Sequence, residues 1–148
     1  MNRLTPMSEQ LPAIVVGFVD SPTGRVAVDR AVEETRLRGA RLVVVHSMPG
    51  GSATTGEEAM TYRRLLEDLD ERLTADGVPH EVREYVRGNT PADDVCRTAE
   101  EIGAILIVVG YRRRSPAGKF LLGSDAQQIL LEAPCPVLAV RPDDEVAG

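Results

Sequence analysis

A single α/β domain built on an open, parallel, doubly wound sheet is predicted by three observations. Short apolar runs alternate strictly with amphipathic stretches of helical length, in the order β-α-β-α-β-α-β-α-β, which implies parallel strands joined by right-handed crossovers. The chain is 43% hydrophobic but only 3% aromatic, so its core is made of Val, Leu, Ile and Ala, as suits strands covered on both faces by helices. Its 148 residues make one domain, long enough to bury about two thirds of the unfolded surface.

Ala13-Ile14-Val15-Val16-Gly17-Phe18-Val19 is a continuous apolar run, the pattern of a strand buried on both faces. Asp20-Ser21-Pro22 then supplies a side-chain oxygen before a proline at the first helical position. Val28, Ala31, Val32 and Thr35 recur at helical spacing, Arg25, Asp29, Arg30 and Glu33 fall on other faces, and Gly39 ends the helix. Ala40 to His46 is the second strand. The stretch from Ser47 to Gly56 holds three glycines and a proline and reads as a loop.

From Glu57 the pattern is helical again, with Tyr62, Leu65, Leu66, Leu69 and Leu73 on one stripe and a stop at Gly77. Glu81 to Val86 alternates weakly, as an edge strand does. Thr90 caps the next helix, Pro91 occupies its first turn, and Asp93 stands where a capping box places an acid. Ala92, Val95, Ala99 and Ile102 form its buried face. Ile105 to Gly110 is a fourth buried strand, followed by the basic loop YRRRSPAGKFLLGS, a helix opening at Gly123-Ser124-Asp125, and a last strand ending at Val140.

Residues 1–12 are expected to form a flexible N-terminal tail, 13–142 the domain, and 143–148 a loose acidic tail. The opening stretch has one basic residue and no apolar core, so it does not read as a signal peptide, and no apolar run approaches the roughly eighteen residues of a membrane span. Cys96 and Cys135 have neither metal-ligand spacing nor the density of a disulfide scaffold. A cytoplasmic protein without a membrane partner is expected. The formal charge of −6 argues against a nucleic-acid partner, since such domains usually present a basic surface to phosphates.

Laid out in this way, the chain resembles the universal stress protein family from about Leu11 to Pro142. The resemblance is carried by IVVGF at Ile14 to Phe18, AVEETRLRGARLVVVHS at Ala31 to Ser47, and IVVGYRRRSPAGKFLLGSDAQQILLEAPCPVLAVRP at Ile107 to Pro142. It implies a Rossmann-like five-stranded sheet in the order 3-2-1-4-5 and a homodimer. The last strand, Val137-Leu138-Ala139-Val140, would then be an edge, and pairing it with its copy would close a two-fold interface.

The resemblance also implies a site for ATP or another adenine nucleotide. The family's signature of glycine, two residues, glycine, nine residues, then glycine and Ser or Thr falls on Gly110, Arg113, Gly123 and Ser124 with its spacing kept. Arg113 replaces the middle glycine, and an arginine there obstructs close backbone approach to phosphate. The family's adenosine-contacting aspartate aligns with Val19, which cannot accept a hydrogen bond. Phe18, Val19, His46 and Ser47 thus form the expected adenosine pocket. Gly110, Arg112, Arg113, Lys119, Gly123, Ser124 and Asp125 form the expected anion site, where guanidinium groups can take over from a glycine cradle.

His46 admits two readings, a ligand contact and a structural histidine, and His80 is expected at an exposed strand start. No nucleophile, base and orienting group stand together and no metal-ligand set is visible, so a non-enzyme is expected, with slow ATP hydrolysis the one turnover left open. Two functions remain. One is a stress-response module with an anion or nucleotide site, the other a protein–protein interaction module of the same family without nucleotide. The kept spacing of Gly110 and Gly123-Ser124 favours the first, and the pairing of Val19 with Arg113 favours the second for ATP.

Overall fold

A computed structural model describes residues 10–48, 56–86, 89–112 and 122–142. In chain order the elements are β1 (Ala13–Gly17), α1 (Pro22–Arg38), β2 (Arg41–Met48), α2 (Gly56–Ala75), β3 (His80–Val86), α3 (Pro91–Ile102), β4 (Leu106–Gly110), α4 (Ser124–Glu132) and β5 (Val137–Val140). The strands form one five-stranded sheet in the order β3-β2-β1-β4-β5, and every pairing is parallel. Both the doubly wound architecture and the strand order are as expected. β1 lies at the centre because it pairs with β2 on one side and β4 on the other.

The pleat sends alternate residues to opposite layers. Ile14, Val16, Leu42, Val44, Leu106 and Val108 meet α1 and α2 through Ala27, Val28, Ala31, Leu66, Leu69 and Leu73. Val15, Val43, Val45 and Ile107 meet Ala92, Val95, Ala99 and Ile129 of α3 and α4. The continuous apolar runs of the inner strands are therefore explained by burial on both sides.

The helix signals act where the residues indicate. Ser21 Oγ accepts from the Gly24 amide at 3.0 Å, and Gly39, at φ 60°, closes α1 in the left-handed region. Thr90 and Asp93 form the reciprocal capping box of α3. The second strand runs further than expected. Ser47 and Met48 continue β2 because β3 gives them partners in Tyr85 and Val86, and residues 49–55 lie outside the described part. His80 also differs from expectation, since its side chain is only 9% exposed and its ring nitrogens lie 2.6 Å from Asp70 Oδ1 and 2.7 Å from the Val78 carbonyl.

On α1 the buried Glu34 accepts from Arg38 Nε at 3.0 Å and Arg30 Nε at 3.1 Å. The Arg38 bond, more than Arg30, holds its carboxyl below the ordinary value of 4.5 although burial opposes the shift. For a depressed carboxylate the stabilisation is complete above the ordinary value and fades as pH falls through the lower folded value. Glu34→Gln is therefore expected to lose on the order of 1 kcal/mol at neutral pH. The gap to the parent should narrow in acid, and urea midpoints measured across that range will show it.

Candidate functional site

The carboxyl ends of β1 and β4 part at the point where the chain changes direction across the sheet. Open α/β folds place ligands there. A crevice of about 580 Å³ lies at this edge, between the start of α1 (Ser21, Thr23, Gly24), the end of β4 (Gly110, Tyr111, Arg112), the start of α4 (Gly123, Ser124, Asp125) and Pro91 and Val95 of α3. Three helix N-termini thus converge on one opening, each with amide groups that lack intrahelical acceptors.

They are not equivalent. α1 is closed by Ser21 and α3 by Thr90. α4 begins at Gly123, which contributes no side-chain cap, and among the described residues, its chain neighbours aside, no atom stands within 4 Å of where a Cβ would be at that position. Ser124 and Asp125 are exposed. Asp125 already places one negative charge against the helix end, which offsets part of the dipole. Gln128 of α4 donates to Asp93 Oδ1 at 2.7 Å, tying α4 to the α3 cap, and this bond is the main reason that the Asp93 carboxyl is held below its ordinary value.

Two more of the crevice glycines, Gly110 and Gly24, have packing reasons. A Cβ on Gly110 would run into the backbone oxygen of Thr23, and one on Gly24 into the backbone oxygen of Val19. Gly110 therefore brings β4 against the first turn of α1. Arg112 is exposed and borders the crevice, while Arg113 and Lys119 lie outside the described residues.

The expected adenosine pocket divides in two. Val19 is 45% exposed and floors the crevice with an apolar side chain. Phe18 is buried in the core on the α2 side, its amide donating to the Val45 carbonyl at 2.8 Å. His46 is buried on the same side, stacked on Tyr62 with ring centroids 4.1 Å apart. Ser47 points to the other layer, where its hydroxyl donates to Asp94 Oδ2 at 2.7 Å. A smaller recess of about 210 Å³ adjoins the crevice, bordered by Phe18, Val19, His46, Ser47, Glu58 and Tyr62 among others, and shares Gly17, Val19 and Pro91 with it.

Sequence reasoning missed Tyr62 as a site residue, because its place on the apolar stripe of α2 reads simply as core. It also missed Asp94, an acid with 1% exposure on the buried side of α3. Asn89 Nδ2 is its second donor, at 3.4 Å. Ser47→Ala should cost about 1–3 kcal/mol by removing the shorter of the two hydrogen bonds to a buried carboxylate. Ser47→Ala combined with Asp94→Leu should cost less than the single change, a comparison made by thermal melts of the two variants.

Chemistry beyond binding finds little support in these side chains. Ser47 and Asp94 are paired, but His46 lies on the opposite face of the sheet and cannot relay a proton between them. Burial pushes the Cys96 and Cys135 thiols above the ordinary cysteine value, which leaves them protonated and weakly nucleophilic. Among the described residues no cluster of three His, Cys, Asp or Glu could hold a metal ion, and no helix is long and apolar enough to cross a membrane.

Comparison with known proteins agrees with this geometry. Residues 12–141 match the model of the universal stress protein family. A universal stress protein of Mycolicibacterium smegmatis is 39% identical over 129 residues, which is 87% of this chain and 97% of the relative. The solved universal stress protein of Archaeoglobus fulgidus superposes with a TM-score of 0.75 at 37% identity, covering 88% of this chain and 98% of that one. A structure of the universal stress protein from the same organism in complex with dAMP gives 0.70 at 33% identity, over 88% and 97%. With a family match across nearly the whole domain and the family's sheet order beneath it, the chain belongs to the universal stress protein family.

Proposed function

We propose that this protein is a nucleotide-responsive module of the stress response, and that its crevice binds an adenine nucleotide. The anionic end lies at the first turn of α4 and the nucleoside crosses Val19 toward the carboxyl ends of β1 and β2. One observation carries the reading: of three helix starts around the crevice, α4 alone has no side-chain cap among the described residues, and an uncapped helix start suits an anion. The Archaeoglobus fulgidus neighbour in complex with dAMP supports the ligand class.

The helix end alone supplies about 0.3–1 kcal/mol, whereas micromolar affinity needs about 8 kcal/mol. Most of the affinity must then come from the nucleoside and from the cations Arg112, Arg113 and Lys119. Because Val19 offers no acceptor to the sugar, affinity should be modest and should fall as salt rises. The proposal is of binding, and turnover forms no part of it.

Calorimetric titration with AMP, cyclic AMP and ATP at low and moderate salt, beside an Arg113→Ala variant, tests it. Saturable heat that weakens in the variant supports an arginine-assisted anion site. No heat with any of them at millimolar concentration overturns the reading and leaves the protein–protein interaction module in its place.

We further infer a homodimer through β5. That strand pairs with β4 alone among the described strands, and α4, which packs beside it, exposes Leu130 and Leu131. An apolar edge of this kind is usually covered. Sedimentation equilibrium of the purified chain should return twice the monomer mass, and a monomer at micromolar concentration contradicts the inference.

A further inference from the structure

β3 forms one edge of the sheet and pairs with β2 alone among the described strands. The Leu42 amide donates to the Pro79 carbonyl at 2.8 Å, and backbone groups along a strand turn alternately to either side. Glu81, Arg83 and Tyr85 therefore turn theirs to β2. His80, Val82 and Glu84 turn theirs outward, where no described strand takes them up. Such a row is a template for a further strand, and β3 holds no proline or glycine to blunt it.

The side chains decide which strand fits. Glu81 lies beside Val43 and Arg83 beside Val45, so both stand on the α3 face of the sheet. Arg83 Nε donates to Glu81 Oε2 at 2.7 Å and Arg41 to Glu81 Oε1 at 3.4 Å, which holds the two charges in place while Glu81 and Arg83 remain 43% and 26% exposed. Laid antiparallel on a copy of itself and centred on Val82, the strand sets Arg83 opposite Glu81 of the other copy, twice over. With the bond inside each strand, the four charges form a rectangle of alternating sign. On the other face Val82 meets its copy, and the exposed Glu84 lies opposite His80. This register also brings outward-turned residues opposite one another, as an antiparallel ladder requires. The two neighbouring registers that do so set Glu81 or Arg83 against its own copy, like charge on like.

We propose that the β3 edge is a self-association surface, on which β3 pairs antiparallel with β3 of a second copy, centred on Val82, with Arg83 of each copy opposite Glu81 of the other. Charges on an edge strand ordinarily discourage pairing. Here the same charges disfavour the neighbouring registers and favour this one, and that complementarity names the occupant as a second copy of the chain. The contact spans only His80 to Glu84, well short of a standard interface of about 1,600 Å². It is therefore weak, forms at high protein concentration, and fades as salt screens its charge pairs. It lies on the opposite edge of the sheet from β5, so it adds to the homodimer inferred there and does not depend on the nucleotide reading.

The test is sedimentation of the full chain from micromolar to millimolar concentration at low and high salt. At low salt the weight-average mass of the wild type should rise about twofold or more across that range, since a two-fold contact joins particles in pairs, and high salt should flatten the rise. Arg83→Glu and Glu81→Arg should each stay flat, because each sets like charges opposite one another. An equimolar mixture of the two variants should regain the rise, since each strand then meets a strand of opposite charge. A loss of folding or a change in net charge does not produce that recovery. A wild type of constant mass leaves the edge to another occupant and overturns the inference. So do single variants that rise as the wild type does, or a mixture that stays flat. Should either variant fail to fold, the amide resonances of isotope-labelled wild type decide. Those of His80, Val82 and Glu84 should shift with protein concentration more than those of Glu81 and Arg83, and resonances that stay in place contradict the pairing.

Discussion

Gly24→Ala is expected to destabilise the domain by about 3 kcal/mol or more, at the upper end of overpacking effects, and to lower Tm by roughly 6–12 °C for a chain of this size. The reason lies in the turn between β1 and α1. The Val19 carbonyl accepts from the Ser21 amide at 2.9 Å and lies directly against Gly24, where a Cβ would collide with the oxygen, carbon and nitrogen of Val19. Backbone atoms on both sides cannot rotate away, so the helix start must move off the strand. The same contact holds Val19 in place as the floor of the crevice, and a destabilised turn should also weaken nucleotide binding.

Two other glycines grade the effect. At Gly110 the obstacle is Thr23, backbone oxygen included, and at Gly17 it is only the Val95 Cγ2 methyl, 3.2 Å away. The expected order of destabilisation is Gly24→Ala, then Gly110→Ala, then Gly17→Ala. Urea unfolding followed by circular dichroism gives the order without a tryptophan, which the chain lacks. A Gly24→Ala protein as stable as the parent would show that the turn has room that the structure denies it.

Val19→Asp should raise affinity for adenine nucleosides by roughly ten- to hundredfold. On the proposed nucleotide reading Val19 lies under the sugar, at the position where the family resemblance implies an acceptor, and a hydrogen bond to a charged group contributes about 1.5–3 kcal/mol, with about 1.4 kcal/mol per tenfold. The position is half exposed, so the substitution removes little packing. Adenosine is the better probe than AMP, since a carboxylate beside a phosphate introduces a repulsion that partly offsets the gain. Unchanged or weaker adenosine binding in a folded variant would mean that the sugar does not cross Val19.

The elements were legible wherever local chemistry and burial pattern agree. Continuous apolar runs mark β1, β2 and β4 because helices cover both faces, and Ser21-Pro22, Thr90-Pro91 with Asp93, and Gly39 mark helix ends because capping is local. Legibility fails where a distant partner decides. Ser47 and Met48 precede Pro49-Gly50 and read as loop, yet β3 extends the ladder to them. Gly110 reads as a phosphate contact, and only the fold brings Thr23 against it.

Gly24 has no local signature, since the turn that presses on it is a product of tertiary packing. The parity of a strand puts His46 and Ser47 on opposite faces, but nothing in the neighbouring sequence announces Tyr62 as the ring that His46 meets or Asp94 as the partner of Ser47. At the proposed anion site, Gly123-Ser124 at a helix start was readable from its spacing to Gly110. The absence of a side-chain cap on α4 among the described residues, set against the capped α1 and α3, was not.

Titration of isotope-labelled protein with AMP, followed through backbone amide resonances, tests the nucleotide site most directly. The account predicts saturable shifts at Gly123, Ser124 and Asp125 at the start of α4, and at Val19 on the crevice floor, with the capped first turns of α1 and α3 moving less. Saturable shifts confined to the outer surfaces of the helices, or none at α4, would contradict it.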